Sequence, residues 1–455
     1  METYEVLIIG AGPGGYLCAE KASAAGLSTV LFEEKAIGGT CLNVGCIPTK
    51  ALLNTAKIYR HARDGAGFGV VANDLRLDHA KAVEHKEEVI RTLVSGVDMA
   101  LKKNKVTVVR GHAEIVGKNG VLFEVRCNGE SWLGRRLVIA TGSETSIPPI
   151  PGVEEGLKSG FVVTNREALS LKTLPGKLVV MGGGVIGLEM ASYFLDAGCE
   201  VTVVEMLPQI AGPVDGDLAK FLLKEYTQRG IRFRLSTKVT QIDADGVVCE
   251  TDGKSEKLPC DMVLMAAGRR AVTKGFGLER LNPVMTRAGL TTNDTLETSV
   301  PGLYAVGDCN GVSMLAHTAY READALVHLF QGQRDAVRYG SIPSVIYTDP
   351  EIACVGETEE GAKKRGLRVK TVKIPLAYSG RYVAETLQRT GFVKLVVDLD
   401  ADRLIGAHIA GPYASEIIVS AAMMVDTQLP VSRLKEFVFP HPTVGEALHE
   451  ALNQL

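Results

Sequence analysis

Two cysteines lie close together in the segment Gly38-Gly39-Thr40-Cys41-Leu42-Asn43-Val44-Gly45-Cys46, with Lys50 following shortly after. On a helical turn this spacing can bring two sulfurs within bonding reach, and the glycines ease the local geometry, but spacing alone does not fix the distance. Such a pair can cycle between dithiol and disulfide, because a thiolate attacks a disulfide sulfur and expels the other as thiolate. A helix N-terminus or a cation such as Lys50 would lower a thiol pKa and raise its nucleophilicity at neutral pH. Two other readings compete. Metal ligation is short of donors, since no second close cysteine pair or histidine pair follows at zinc spacing, so no metal centre is expected. Two inert buried thiols are the blander alternative.

The rest of the chain narrows the choice. It has 455 residues, enough for roughly three domains. Its 46% hydrophobic and 23% charged residues are ordinary for a globular protein, and a net charge of -3 without a basic stripe makes nucleic acid and anionic membrane poor partners. The nine cysteines are an odd number spread over a long chain, unlike a disulfide-stapled secreted fold. Cys18, Cys127, Cys199, Cys249, Cys260 and Cys354 each sit singly in apolar or strand-like runs and read as small buried hydrophobes. The N-terminal residues METYEVLIIG lack a basic leader and an apolar core of signal type, and no apolar run reaches membrane-spanning length. A cytoplasmic protein is the expectation, and in a reducing compartment a close cysteine pair is more often catalytic than structural.

The elements that must position the pair appear twice. The apolar run Val6–Ile9 leads into Gly10-Ala11-Gly12-Pro13-Gly14-Gly15, an alanine-rich helical segment, and a second run, Thr29–Phe32, ending at Glu33. Later, Leu178–Met181 leads into Gly182-Gly183-Gly184-Val185-Ile186-Gly187, another helical segment, and Val201–Val204 ending at Glu205. A lone GxGxxG is weak, but each here follows a strand, opens a helix and precedes a strand ending in Glu, which is the pattern of a βαβ dinucleotide unit. The first glycine allows the tight turn, the second lets backbone approach a pyrophosphate, and the third lets helix pack on strand. The helix N-terminus then offers its free N–H groups to phosphate. The terminal carboxylate can accept from ribose hydroxyls and repels a 2′-phosphate. Met206-Leu207-Pro208-Gln209 after Glu205 holds no Arg or Lys, so NAD is preferred over NADP at the second site. The first site ends in Glu33-Glu34, of which Glu33 is the expected counterpart. Each half closes on a strand ending in glycine, Leu137–Gly142 and Met262–Gly268. The stretch from Gly10 to Gly142 is the longer, and its insertion carries the cysteines and a charged, helix-like run near Asp78–Lys103.

CLNVGCIPTK, preceded by a GxGPGG turn and followed by a second dinucleotide unit, resembles the pyridine nucleotide–disulfide oxidoreductases, and among them the lipoamide branch. The resemblance spans nearly the whole chain: Gly12–Tyr16, Gly182–Glu189, Leu303–Cys309, Met314–His317, Ser344–Gly356 and His441–Glu446 each match a segment of the pattern. It implies an α/β fold of two Rossmann-like domains plus a C-terminal α+β dimerisation domain. The expected boundaries are 1–147 for the FAD-binding domain with the redox disulfide, 148–270 for the NAD-binding domain, 271–338 for a central segment completing the FAD site, and 339–455 for the interface domain. FAD is expected against Gly10, Gly12, Gly15, Glu33, Gly39, Thr40, Lys50, Thr141, Gly142, Asp308, Met314, Ala316 and His317. NAD is expected against Gly182, Gly184, Gly187, Glu205 and Gly268.

The same resemblance assigns roles. Cys41 exchanges with lipoamide sulfur, Cys46 faces the flavin, and Lys50 pairs with Glu189 nearby. Exchange needs a proton acceptor, because only thiolates attack, and His441 with Glu446 supplies a base and an orienting carboxylate. Outside this motif a histidine near the C-terminus would read as a solvated surface residue. In the family this segment completes the partner subunit's site, so a homodimer is expected. Dihydrolipoamide would exchange with the Cys41–Cys46 disulfide, and electrons would pass through FAD to NAD. The lipoyl groups would arrive on another protein, a lipoylated carrier or acyltransferase core of a 2-oxoacid dehydrogenase or glycine cleavage complex, since no fused lipoyl domain is expected. Glutathione-type reductases share the cysteine motif but use NADPH, against which Glu205 argues. Thioredoxin- and mercuric-reductase relatives need a C-terminal cysteine pair, whereas the last cysteine is Cys354. A mainly structural, complex-docking flavoprotein is the alternative of a different class, and the complete Cys41/Cys46/His441/Glu446 set argues against it. Three features depart from the pattern: Phe439-Pro440-His441 where many relatives have His-x-His, Ala271 where a proline is usual, and a short linker between Glu33 and Gly38.

Overall fold

The computed structural model describes residues 2–455, which form two compact units. The first comprises the chain up to Ala51, Val83–Ser146 and Gly268–Val337. Its seven-stranded sheet runs Thr107–Arg110, Thr29–Glu33, Thr3–Ile9, Glu130–Ile139, Leu122–Cys127 and Ala113–Asn119, with Leu303–Ala305 beside the end of Glu130–Ile139. The strands nearest the N-terminus pair in parallel, Val6 opposite Thr29 and Ile9 opposite Phe32. Parallel strands are covered on both faces, so they read as continuous apolar runs rather than alternating ones; Val6, Leu7 and Ile8 are accordingly fully buried. Glu130–Ile139 does double duty. Its first half pairs antiparallel with Leu122–Cys127, and its second half pairs parallel with Thr3–Ile9 and Leu303–Ala305. The charged run near Asp78–Lys103 is a 25-residue helix, His79–Lys103.

The second unit comprises Leu52–Ala82, Ile147–Ala267 and Arg338–Leu455. A five-stranded parallel sheet runs Arg232–Arg234, Glu200–Val204, Lys177–Met181, Met262–Met265, Val162–Val163, and a three-stranded antiparallel meander spans Lys238–Pro259. This repeats the first unit's plan, a parallel core with an antiparallel flap ahead of the closing strand. The C-terminal region is a different construction. Its antiparallel sheet runs Ser344–Ile346, Ile352–Gly356, Arg403–Ala410, Phe392–Asp398, Val369–Pro375. Helices Ala414–Thr427 and Glu446–Asn453 bury Ile418, Ala421, Leu448 and Leu452 in its core.

Candidate active site

The two glycine turns have the same geometry. Gly10 and Gly182 take φ of +101° and +107°, and a Cβ on either would lie 2.4 Å from a carbonyl of the closing segment, Ala140 or Ala266. A Cβ on Gly15 would lie 1.8 Å from the Gly10 carbonyl, and one on Gly187 2.0 Å from that of Gly182, so each third glycine is a point of helix–strand contact. By contrast nothing lies within 4 Å of a Cβ built on Gly12 or Gly184. These two residues cap the 12-residue helices Pro13–Ala24 and Val185–Asp196, with no side chain on the free amides and no acid in the first turn. Open space in front of bare helix N–H groups fits the phosphates of a dinucleotide in both units. A Gly15→Val substitution is expected to abolish flavin retention, read as loss of visible absorbance in the purified protein, while a Gly12→Ala change should leave the fold intact.

Each turn is fastened by the carboxylate that ends the second strand. Glu33 Oε2 accepts from the Ala11 amide at 2.7 Å, and Oε1 accepts from the amides of Lys35 and Ala36 at 2.7 and 3.1 Å. Glu205 Oε2 accepts from Gly183 at 2.7 Å and Oε1 from Leu207 at 2.8 Å. Glu34 is the exposed neighbour and pairs with His112 at 2.7 Å, which holds its carboxyl below the usual range.

The cysteines flank a break between two helices. Cys41 lies in Gly39–Val44 and Cys46 begins the 18-residue Cys46–Arg63, with Gly45 between them. A Cβ on Gly45 would lie 2.9 Å from the Thr40 carbonyl, so the break is tight. Gly39 packs on Gly12, where its Cβ would fall 2.6 Å from the Gly12 Cα, and the Gly38 amide donates to Ala11 at 2.8 Å. These contacts bring the pair to the mouth of the first glycine turn. Asn43 ties the short helix down through the carbonyls of Ile37 and Gly39. The neighbouring Cys46 thiol, with burial, pushes the Cys41 thiol well up; Lys50 pulls in the opposite direction but does not prevail. The lowering expected from Lys50 is therefore present at Cys41 but outweighed by the neighbouring sulfur and desolvation.

The segment Gly307–Asn310 carries Asp308, whose Oδ2 accepts from Ser143 Oγ. Arg269 donates to Ser143 Oγ at 2.7 Å and to its carbonyl at 2.6 Å. Thr141 Oγ1 donates to the Val272 carbonyl at 2.6 Å, and Gly142, at φ +69°, faces open space, as does Gly268. Fully buried Glu322 holds the segment, accepting from the Gly307 amide at 2.5 Å and from Asn310 Nδ2 at 2.8 Å. Helix Ala316–Phe330 starts at Ala316 and His317, with Met314 just ahead of it and partly exposed. Thr40 and Lys50 are half-buried on the cysteine-bearing helices.

Two expected residues of the second unit lie in different places. Glu189 is buried in Val185–Asp196, and its Oε1 accepts the Tyr347 amide at 3.0 Å. His441 is 79% exposed and bonds Glu446 Oε1 through Nδ1 at 2.8 Å. Glu446 Oε2 takes the Thr443 amide at 2.7 Å, and the two contacts hold its carboxyl below the usual range. With Nδ1–H directed at a carboxylate, Nε2 is the nitrogen that can accept a proton. The same region exposes Val438 and Met423.

Sequence reasoning passed over Ser143, Arg269, Glu322 and a tyrosine pair, Tyr16 and Tyr320, whose hydroxyls hydrogen-bond and whose rings meet edge-on at 6.0 Å. Glu322 left one signal, a carboxylate on the apolar face of a helix.

Against known proteins, residues 4–323 match the family described as pyridine nucleotide-disulphide oxidoreductase, and 342–452 its dimerisation domain. The chain is 37% identical to dihydrolipoyl dehydrogenase 1, mitochondrial, of Arabidopsis thaliana and 38% to the human mitochondrial dihydrolipoyl dehydrogenase, in each case over 98% of this chain and 89% of the relative. Among solved structures, the HOCl-induced flavoprotein disulfide reductase RclA of Escherichia coli superposes with a TM-score of 0.87 at 27% identity, over 99% of each chain. LpdA of Mycobacterium tuberculosis shares the fold, at a TM-score of 0.89 and 24% identity over 99% of each chain.

Proposed function

The chain belongs to the pyridine nucleotide–disulphide oxidoreductase family, and on that premise we propose that it oxidises dihydrolipoyl groups, borne on a partner protein, with reduction of NAD. As a member it is an oxidoreductase that uses FAD and NAD. The observation that carries the reading is the Cys41/Cys46 pair, set across the Gly45 break and seated against the first glycine turn. Long similarity to dihydrolipoyl dehydrogenases supports the choice of substrate.

Cys41 forms the mixed disulfide with the substrate, and Cys46 leaves as thiolate. The second substrate thiolate then closes the lipoyl ring and expels Cys41. His441, oriented by Glu446, accepts the proton that each attacking thiol must lose, and it does so for the partner subunit of a homodimer. FAD, when bound, relays the electrons from the sulfur pair to NAD. Gly10, Gly12, Gly15, Glu33, Gly39, Thr40, Lys50, Thr141, Gly142, Asp308, Met314, Ala316 and His317 would hold it. Gly182, Gly184, Gly187, Glu205 and Gly268 would hold NAD. The lipoyl donor belongs to a 2-oxoacid dehydrogenase or glycine cleavage complex.

A steady-state comparison of NADH with NADPH tests this, using lipoamide, glutathione disulfide and a lipoylated carrier as acceptors. Preference for NADH with lipoyl acceptors is the expected result; preference for NADPH or glutathione disulfide would overturn it. Because Glu205 would repel a 2′-phosphate, Glu205→Ser should raise the NADPH-to-NADH ratio of kcat/KM by roughly tenfold or more.

A further inference from the structure

We propose that Tyr320, braced by Tyr16, is a positioning residue for the sulfur pair, its hydroxyl directed at the Cys41 thiolate that the exchange releases. The placement follows from the backbone. Tyr16 begins the second turn of Pro13–Ala24, its amide donating to the Gly12 carbonyl at 2.9 Å. Gly39 packs on that same Gly12, two residues before Cys41. Tyr320 comes from the second turn of Ala316–Phe330, which packs along Pro13–Ala24. The two hydroxyls and the two sulfurs therefore share one corner of the first unit. Charge on Cys41 is felt at both tyrosines, and charge on Cys46 at Tyr320.

Two hydroxyls have two protons, and the bond between them uses one. With Tyr16, 7% exposed, as the donor in the bridge, the Tyr320 proton remains to be placed. Burial pushes both phenols up, so they stay neutral through the working pH range. A neutral phenol donates without ionising. It cannot replace His441 as base, but it can stabilise a sulfur anion by a charge-assisted hydrogen bond. Cys41 needs such help, because its neighbour and its burial disfavour the thiolate. In the step affected, the substrate's second thiolate forms its ring S–S bond, the bond to Cys41 breaks, and the electron pair goes to Cys41, where the Tyr320 O–H meets it. No proton is transferred.

The link to catalysis rests on the dihydrolipoyl reading, so the test does not use that substrate. The holoenzyme is reduced with a small dithiol and desalted, and iodoacetamide labelling of the Cys41 peptide is followed by mass spectrometry across pH. Tyr320→Phe keeps the ring and is expected to slow labelling at neutral pH about tenfold and to move its pH profile upward. Tyr16→Phe, which leaves the donor but removes its brace, should give a smaller shift in the same direction. NADH-dependent reduction of a flavin-accepting dye, which bypasses the sulfurs, should be unchanged in both. An unmoved labelling profile in Tyr320→Phe, or dye reduction falling in step with labelling, would overturn the proposal. If wild type labels as expected yet does not turn over lipoamide, the substrate reading fails and this one stands.

Discussion

Cys46→Ser is expected to bring lipoamide-dependent NAD reduction below about a thousandth of wild type, since removing a covalent participant leaves only binding and positioning. Serine matches the size of cysteine, and the Gly45 break and the Cys46–Arg63 helix do not depend on the sulfur. Its alkoxide, however, is inaccessible at neutral pH and cannot close a disulfide with Cys41. NADH-dependent dye reduction should persist, because it needs the two dinucleotide sites and not the sulfurs. Lipoamide turnover surviving in Cys46→Ser would refute the mechanism outright, and it would revive the view of the chain as a docking component.

His441→Gln should lower the same activity by about 10²- to 10⁴-fold, the span of a lost general base. Glutamine can still meet Glu446, so the local structure is kept and the proton acceptor is lost. Glu446 stays ionised into the acid range, because the Thr443 amide and His441 both favour its charged form. Loss of rate toward low pH should therefore not trace to this carboxylate. The exposure of His441 sharpens the test. If each histidine serves its partner's cysteines, Cys46→Ser and His441→Gln subunits are both inactive alone. A heterodimer of the two has one site with both substitutions and one with neither, so co-refolding the two should restore activity. Lack of any recovery would place His441 with its own chain's cysteines.

Much of this was readable in the residues. Both glycine turns, the strands that feed them and the Glu-ended partners follow from short apolar runs and from contacts that only glycine allows. Glu33 could be preferred over Glu34 only weakly, because the choice is one of register; the Ala11 amide distinguishes them in space. The C-terminal sheet was expected by resemblance and not by pattern, since its antiparallel order depends on distant pairings such as Ile352 with Ala410. Spacing shows the cation near Cys41 but not the burial or the second thiol that outweigh it. The tyrosine pairing was unreadable for a related reason: Tyr16 and Tyr320 are far apart in sequence, and although Tyr16 closes the first glycine segment, nothing in that segment points to Tyr320.

The matching clips, Glu33 on Ala11 and Glu205 on Gly183, are one device used twice. The chain contains two copies of one nucleotide-holding module, alike down to the hydrogen bond that locks the turn. What separates them is the insertion after the first glutamate, where both cysteines reside. The holding device is therefore the part the two halves share, and the redox pair is cargo mounted on one copy. A chain built with a different insertion at that point could inherit the same two sockets and perform another reaction with them.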